Sequence, residues 1–465
     1  MKRSFPALLL AICMFIALCS CGESQIPETV PEYGGDIREE DFDLLGYEYI
    51  ISAITHGSVY PLNPTSGDTA RGDQLLLRYK EAEEKYNCKI TIRDGSDVGT
   101  FLTYYAANIK YSDLMFNAMH QIIRGKYLQN GYFMPFSDMD IDLESGLYGT
   151  PAVLEAGNFK GDYYSIIAYY WGFPAADTAP AMWFNPRVIS NFQQTSPHEL
   201  DEMGEWTWDT LEKMCEAIRD TSNPDENMQT YALAYTNLPY LELGALYSNG
   251  ARAVTKDESG RLYYSFNDQR ALEALDFTHS LAARDLICNG GDRQNIEPFV
   301  ENRRAFFLEY THMGLSDEGT QNLSYLMNDA YEWIYFPAGP SYVPGTPRTA
   351  YSYNSRLFYA PLNSDAEVHS ILLPFLFQPL PGETAETWQD DFKRVTFFTE
   401  ESFEYFTRLR DDAFFDYLVY SSFSGDFEDK LVRMTRGTLS ISETLESLES
   451  NMQSALDTYY NDYLE

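Results

Sequence analysis

An alternation of apolar runs and amphipathic stretches between residues 44 and 118 constrains the fold of this 465-residue chain more than any other feature. LLGYEYIISAI has the pattern of a strand, and GDQLLLRYKEAEEKY places its apolar residues at helical spacing. A second strand, NCKITIRDG, precedes a predicted helix over 98–109 and the strand-like SDLMFNA. This order predicts an α/β layer with a largely parallel sheet. Because such sheets bind ligands beyond the carboxyl ends of their strands, we expect residues 55–60 and 113–120 to lie beside a binding site.

Three later segments predict amphipathic helices. EWTWDTLEKMCEAIRD has an N-cap at Thr207 and apolar residues at helical spacing, and QRALEALDFTHSL repeats that spacing. The C-terminal SISETLESLESNMQSALDTYYNDYLE begins with a capping box formed by Ser440 and Glu443. The aromatic, proline-interrupted stretch over residues 160–189 predicts a connection that runs between lobes.

The N-terminal region carries a targeting signal. A positively charged start precedes an apolar run over residues 8–18, which is shorter than the roughly 20 apolar residues that span a bilayer. The run fits the apolar segment of a secretory signal, and its end, LCSCG, resembles a bacterial lipobox. We therefore expect a lipoprotein signal peptide over 1–20, a lipid-modified Cys21 and a flexible tether over 21–43. A plain signal peptide with incidental cysteines is the alternative.

Charge and residue types narrow the class of protein further. Cys88, Cys215 and Cys288 follow the N-terminal region, so at most one disulfide can form and the fold depends on its core. The net charge of −37 excludes binding to nucleic acid or to anionic lipid by counterion release. Aromatic residues make up 15% of the chain, and the flat face and polar edge of Tyr and Trp suit sugars, although most rings pack in cores.

Several short motifs together carry a family resemblance. They are a helix start at Thr207-Trp208-Asp209, the crossing segment MWFNPRVI, then FVENRRAFF, YEWIYFPAGP and the C-terminal helix. In this order, behind a lipobox-like signal, they resemble the extracellular solute-binding lipoproteins of bacterial ABC importers, in particular the carbohydrate-binding branch of family 1 type. The resemblance covers roughly residues 44–465. Asn302 departs from the usual glycine, Tyr310 stands where tryptophan is usual, and the stretch over 392–423 is unusually long and aromatic.

The resemblance implies an α/β architecture of two lobes, the periplasmic-binding-protein-like fold that closes over its ligand by a hinge like a Venus flytrap. Lobe 1 is expected to comprise residues 44–170 plus 311–353. Lobe 2 is expected to comprise residues 171–310 plus 354–465.

A sugar site needs aromatic rings for pyranose faces and polar side chains for hydroxyl groups. The crossing segments and strand ends supply the candidates. The candidate stacking residues are Trp171, Trp183, Tyr310 and Tyr353. The candidate hydrogen-bonding residues are Asp113, Asn117, His56 and Asn354. For any single ring, packing in the core is an equally good interpretation.

Sequence motifs of enzymes are missing. The chain contains no GxSxG, HExxH, GxGxxG or GK[ST]. Its 70 acidic residues make chance carboxylate pairs inevitable, so no glycosidase pair can be identified from spacing. The acidic run SDMDIDLESG lacks the glycine and glutamate that a calcium loop requires, and we interpret it as a solvated turn. We expect no catalytic residue, no cofactor and no bound metal.

The resemblance implies a receptor that is lipid-anchored outside the cytoplasm, at the bacterial cell membrane. It would capture a carbohydrate, an oligosaccharide, between its lobes and deliver it to the permease subunits of an ABC importer. It would act as a monomer, touch the membrane through its lipid anchor only and bind no nucleic acid. Two alternatives remain open: a binding protein for a non-sugar ligand such as a peptide, and a surface glycoside hydrolase.

Overall fold

The computed structural model describes residues 42–53, 62–67, 69–95, 97–171, 177–225, 228–290, 296–315, 323–351, 355–421 and 427–464, without the side chains at 391, 392 and 395. The predicted signal peptide over 1–20, the lipid-modified Cys21 and most of the predicted tether lie outside the described residues. In the part of the chain that is described, no helix is long and apolar enough to cross a membrane.

The described residues form 19 strands and 16 α-helices. The strands are β1 (Tyr47–Ala53), β2 (Cys88–Asp94), β3 (Leu114–Ala118), β4 (Phe133–Met134), β5 (Asn158–Phe159), β6 (Asp162–Tyr163), β7 (Thr178–Ala179), β8 (Ala181–Phe184), β9 (Arg219–Asp220), β10 (Thr230–Tyr231), β11 (Ala234–Tyr235), β12 (Val254–Lys256), β13 (Leu262–Tyr264), β14 (Cys288–Asn289), β15 (Phe306–Glu309), β16 (Glu332–Ile334), β17 (Ala350–Tyr351), β18 (Arg356–Pro361) and β19 (Phe414–Phe415). The helices are α1 (Ala70–Tyr86), α2 (Val98–Ala106), α3 (Met119–Arg124), α4 (Pro151–Gly157), α5 (Pro186–Asn191), α6 (Pro197–Glu202), α7 (Trp208–Ala217), α8 (Tyr240–Ser248), α9 (Gln269–Ala283), α10 (Ile296–Val300), α11 (Leu323–Leu326), α12 (Ala366–Leu376), α13 (Asp390–Thr396), α14 (Glu400–Asp411), α15 (Phe427–Thr435) and α16 (Ile441–Tyr459). Short 3-10 helices lie at Phe136–Asp138, Tyr169–Trp171, Thr311–Gly314, Tyr417–Tyr420 and Asn461–Tyr463.

The first lobe is built on a five-stranded sheet in the order β2-β1-β3-β18-β4. β1 pairs in parallel with β2 and with β3, as the alternation of strands and helices predicts. β18 enters between β3 and β4 and runs antiparallel to both. The sheet is therefore mixed, because a strand from far along the chain is inserted between strands of the N-terminal region.

Helix α1 covers this sheet with the apolar stripe that the sequence predicts. Leu75, Tyr79 and Ala82 are buried on that face. The helix begins where the Thr69 hydroxyl accepts a hydrogen bond from the Gly72 amide at 3.0 Å, and it ends at Asn87, whose φ of 47° is left-handed. α12 packs beside it, so this layer buries one face of the sheet.

The second lobe is built on a three-stranded antiparallel sheet in the order β15-β8-β16. Trp183 of β8 lies opposite Phe307 on one side and Trp333 on the other. α14 packs on β16, and the Ser402 hydroxyl accepts a hydrogen bond from the Trp333 amide at 2.7 Å. The predicted helices of this lobe form as α7, α9 and α16. No side-chain capping bond forms at Ser440, so the predicted capping box is absent although the helix begins there.

A small sheet in the order β19-β17-β7 lies where the chain passes between the lobes. Along the chain, β7 directly precedes β8 of the second lobe, and β17 follows β16 of the second lobe and precedes β18 of the first. After α12 the chain still contacts the first lobe, where the Trp388 ring packs against Tyr170 at 5.7 Å. It then returns to the second lobe, where the Phe397 ring packs against Trp333 at 5.6 Å. The two main sheets are thus joined through crossing strands that hydrogen-bond to each other.

These pairings correct the predicted division of the chain after residue 310. Residues 332–334 pair with the second lobe's sheet, whereas 311–353 was expected in lobe 1. Residues 356–361 pair with the first lobe's sheet, whereas 354–465 was expected in lobe 2. The predicted crossing points near residues 171 and 354 stay predictions, and residue 354 lies outside the described residues. The error arises because local pattern marks a strand but carries no information about its pairing partner.

Candidate functional site

A cavity of about 120 Å³ lies where the crossing strands β7 and β17 meet the second lobe. Its wall combines apolar residues with four tyrosines and two carboxylates. The tyrosines are Tyr240, Tyr247, Tyr310 and Tyr351, and the carboxylates are Asp416 and Glu428. Aromatic faces beside a few convergent polar groups are typical of a small-molecule site.

Local sequence explains how two of these tyrosines reach the cavity. α8 begins directly after Pro239 and is buried along nearly its whole length. Tyr240, Leu243 and Tyr247 are spaced i, i+3 and i+7, so one face of the helix presents all three to the cavity. The opposite face of α8 packs into the lobe, which gives the aromatic wall a rigid support.

Tyr310 and Tyr351 come from strand ends. Tyr310 follows β15 directly and is the N-cap of the 3-10 helix Thr311–Gly314, and Tyr351 is the last residue of β17. The ring of Tyr310 meets Tyr240 edge-on at 5.4 Å and stacks on His312 at 5.7 Å. Tyr310 is thereby held between two other rings and contributes to a continuous aromatic surface.

Buried carboxylates lie in and behind this wall. Asp416 is 8% exposed; it accepts hydrogen bonds from the Tyr247 hydroxyl at 2.7 Å and from the Leu418 amide at 2.9 Å. Glu309 is 4% exposed and accepts hydrogen bonds from the hydroxyl of Tyr240 and from the Tyr310 amide. Burial raises the pKa of both carboxyl groups, because removal from water disfavours their charged forms.

A hydrogen-bonded network ties the cavity to both crossings. Asp177, immediately before β7, accepts hydrogen bonds from the Thr311 hydroxyl at 2.7 Å and the His312 amide at 3.2 Å. The Thr178 amide donates to the Thr311 hydroxyl at 2.9 Å, and the Ser355 hydroxyl donates to the Asp177 carbonyl at 3.2 Å. Because Thr311 follows Tyr310 in the chain, this network lies directly beside the cavity wall.

The structure brings one of the predicted stacking residues, Tyr310, into the cavity. Trp171 belongs to the first lobe, where its indole nitrogen donates to the Leu376 carbonyl at 2.6 Å and its ring packs on Phe377 at 5.1 Å. Trp183 is fully buried in the core of the second lobe, with its ring 5.0 Å from that of Trp333. We therefore leave Trp183 out of the candidate site.

The two predicted hydrogen-bonding residues that the structure describes, Asp113 and Asn117, lie towards opposite ends of β3. Asp113 precedes β3, at its amino end, and accepts hydrogen bonds from the Tyr47 hydroxyl at 2.6 Å and from Lys110. This corrects its predicted position beside the carboxyl ends of the strands. Asn117 is near the carboxyl end of β3 but 1% exposed, and its side-chain oxygen accepts from the Ala118 amide.

Three further predicted residues, His56, Tyr353 and Asn354, lie outside the described residues. Sequence reasoning missed Tyr240, Tyr247 and Asp416. The segment PYLELGALYS offers a helical stripe with tyrosines seven residues apart, but a stripe of that kind is equally typical of a core helix.

The sequence matches no family model, and no curated protein matches it either. Its structure is similar to several solved proteins. A cyclic α-maltosyl-1,6-maltose binding protein from Arthrobacter globiformis superimposes with a TM-score of 0.61 at 14% identity, covering 89% of this chain and 100% of that one. A cyclo/maltodextrin-binding protein complexed with maltotetraose gives a TM-score of 0.61 at 12% identity, covering 88% and 97%. An ABC transporter solute-binding protein from Thermotoga lettingae TMO, bound with α-D-tagatose, gives 0.53 at 15%, covering 88% and 99%.

The chain has the solute-binding-protein fold. The predicted fold class, two α/β lobes of the periplasmic-binding-protein kind, is thereby confirmed. Within this fold the tyrosine-lined cavity lies at the crossing strands, and its described wall comes from these strands and from the second lobe.

Proposed function

We propose that this chain is the extracytoplasmic receptor of a bacterial ABC importer and that it binds carbohydrate in the tyrosine-lined cavity. The observation that carries the proposal is the position of that cavity, at the crossing strands of a solute-binding-protein fold. The similar solved proteins support a sugar as the ligand, because they include a cyclo/maltodextrin-binding protein, a cyclic α-maltosyl-1,6-maltose binding protein and a solute-binding protein bound with tagatose. We propose more specifically that the sugar is an oligosaccharide.

The chemistry of the wall suits a sugar. Tyrosine rings offer flat apolar surfaces to the C–H faces of a pyranose, and their hydroxyls, with Asp416, offer partners to its hydroxyl groups. A sugar that leaves one of these buried groups unpaired loses on the order of 1–3 kcal/mol, which allows the site to distinguish epimers.

Hinge closure supplies the mechanism. A ligand that touches both lobes stabilises the closed arrangement by its higher affinity for that state, and the closed form docks on the permease. The Asp177–Thr311 hydrogen bond, 2.7 Å long, links the wall of the cavity to the first crossing. In this proposal the protein performs no chemistry and releases its sugar unchanged to the permease subunits.

The remaining parts of the proposal concern the membrane. Residues 1–20 direct export, Cys21 carries the lipid, and the following residues act as a tether, so that the receptor is anchored outside the cytoplasm as a monomer.

Ligand-dependent thermal unfolding tests the function. The purified protein is heated with a panel of mono- and oligosaccharides, peptides and polyols, and each sugar is then recovered and analysed. A ligand of the native state at a hundredfold excess over Kd stabilises it by about 2.7 kcal/mol, so one class of sugar is expected to raise the melting temperature.

The variant Tyr310→Ala is expected to lose most of that shift, whereas Tyr325→Ala, which removes an exposed tyrosine outside the cavity, is expected to keep it. A shift with peptides alone would replace the sugar by another ligand. Cleaved sugar in the recovered sample would favour the glycoside hydrolase.

A further inference from the structure

The charged side chains in the described wall of the cavity are acidic. The charged residues in its described wall are the carboxylates Asp416 and Glu428, and no Lys or Arg is among the described lining residues. Two more carboxylates are hydrogen-bonded to the wall or to a residue next to it. Glu309 accepts a hydrogen bond from the hydroxyl of Tyr240, and Asp177 accepts one from the hydroxyl of Thr311, which follows Tyr310. Two carboxylates therefore line a space of about 120 Å³, and two more are hydrogen-bonded to residues in or next to its wall.

Among the described residues, Arg252 acts electrostatically on Asp416 and offsets part of its negative charge. It attracts Asp416, but its guanidinium lies over the Phe414 ring at 3.7 Å and donates to the carbonyls of Ala251 and Pro347. Its guanidinium is thus hydrogen-bonded to the backbone, and Arg252 does not line the cavity. His312 is hydrogen-bonded to Asp177 and is stacked on Tyr310, so it offsets that carboxylate only when it is protonated.

We propose that the cavity selects a carbohydrate bearing an ammonium group, an amino sugar, over its neutral and acidic counterparts. The inference rests on the proposed function and specifies its ligand class. Burial disfavours the charged form of Asp416, and a bound ammonium offsets this cost because a nearby positive charge favours the carboxylate. The ammonium donates charge-assisted hydrogen bonds to carboxylates, which are stronger than hydrogen bonds between neutral groups. Tyrosine faces attract the same cation through their π systems, and a dry pocket strengthens both interactions. A uronate or a sugar phosphate meets repulsion from the same carboxylates.

Matched sugar pairs test this inference. Binding of glucose, galactose and mannose, and of their disaccharides, is measured by calorimetry against the corresponding 2-amino sugars, their N-acetyl forms and a uronate, at a pH where the amine is charged. At least one amino sugar is expected to bind about tenfold more tightly than its neutral partner, a difference of roughly 1.4 kcal/mol. Added salt is expected to reduce the difference in affinity between the amino sugar and its neutral partner, because it screens the charges. The uronate is expected to bind most weakly of the sugars tested.

Three variants locate the source of the preference. Asp416→Asn keeps an oxygen that can accept from the Leu418 amide, and Glu428→Gln changes a half-buried side chain, so either is expected to reduce the preference for the amine. Glu446→Gln removes the same charge from an exposed position on α16 and is expected to leave the preference unchanged. Unfolding curves of each variant verify that it is folded.

The outcomes separate the two proposals. If neutral sugars bind as tightly as amino sugars, or more tightly, the amine preference is refuted while the carbohydrate receptor stands. A preference that persists in both Asp416→Asn and Glu428→Gln also refutes it. If no sugar of any kind binds, the proposed function itself fails.

Discussion

Glu242 offers a direct test of how burial controls charge beside the cavity. It lies on α8, between the cavity residues Tyr240 and Leu243, and is 1% exposed. Burial raises the pKa of its carboxyl group to about 7 from an ordinary 4.5, although Thr435 and Arg436 act in the opposite direction. We consider the replacement Glu242→Gln, which keeps the shape of the protonated acid and removes the titration.

The sign and size of the effect follow from linkage. A raised pKa means that the folded state holds its proton more tightly than the unfolded state. The stability that comes from this group is complete below pH 4.5 and is lost as the pH rises through about 7. Since one pKa unit corresponds to about 1.36 kcal/mol, ionising Glu242 in the folded protein costs on the order of 3 kcal/mol. Glu242→Gln should therefore match the wild type in acid and exceed it by about that amount above neutrality.

Urea unfolding at a series of pH values measures this difference. The free energy of unfolding of the variant, minus that of the wild type, should rise between pH 4.5 and about 7 and then level off. Glu446→Gln, an exposed glutamate, serves as the control, and its difference should stay near zero throughout. A difference for Glu242→Gln that does not change with pH would show that the carboxylate finds solvation or a partner that the reasoning omits.

Three further predictions follow from the core, the crossings and the anchor. Trp183→Ala should lower the free energy of unfolding by roughly 3–5 kcal/mol in urea titrations, because the ring is fully buried; a loss under about 1 kcal/mol would contradict a core position. Thr311→Val is nearly isosteric but removes the hydroxyl shared by Asp177 and the Thr178 amide, so it should cost about 1–3 kcal/mol and weaken sugar binding; an unchanged Kd would show that the network does not reach the cavity. Cys21→Ser should move the protein from the membrane fraction to the soluble fraction, and continued membrane association would refute the lipid anchor.

Local sequence pattern predicted the individual elements well. The apolar stripe of Leu75, Tyr79 and Ala82 forms the buried face of α1, and the C-terminal stripe forms that of α16. Parallel pairing of β1 with β2 was likewise expected from the strand–helix–strand order. These features could be predicted because helical and strand periodicity depend only on residues within a few positions of one another.

The site was predicted less well, because the sequence does not distinguish an aromatic residue that lines a cavity from one that packs in the core. Trp183 and Tyr310 are both candidate stacking residues from sequence, yet the first lies in the core and the second lines the cavity. Tyr240 and Tyr247 reach the same cavity from a helix that could equally have been buried. Which ring faces a ligand depends on how neighbouring elements pack around it.

The sequence by itself determined the periodic elements of both lobes and, by resemblance, the two-lobed class. Tertiary structure alone decided that β18 inserts between β3 and β4, that residues 332–334 join the second sheet, and that Asp416 accepts a hydrogen bond from Tyr247 in the cavity wall. The physical reason is the range of the interactions. A stripe of apolar residues is set by neighbours one or two turns away, whereas a strand pair such as Met115 with Tyr359 forms only once the intervening chain has folded.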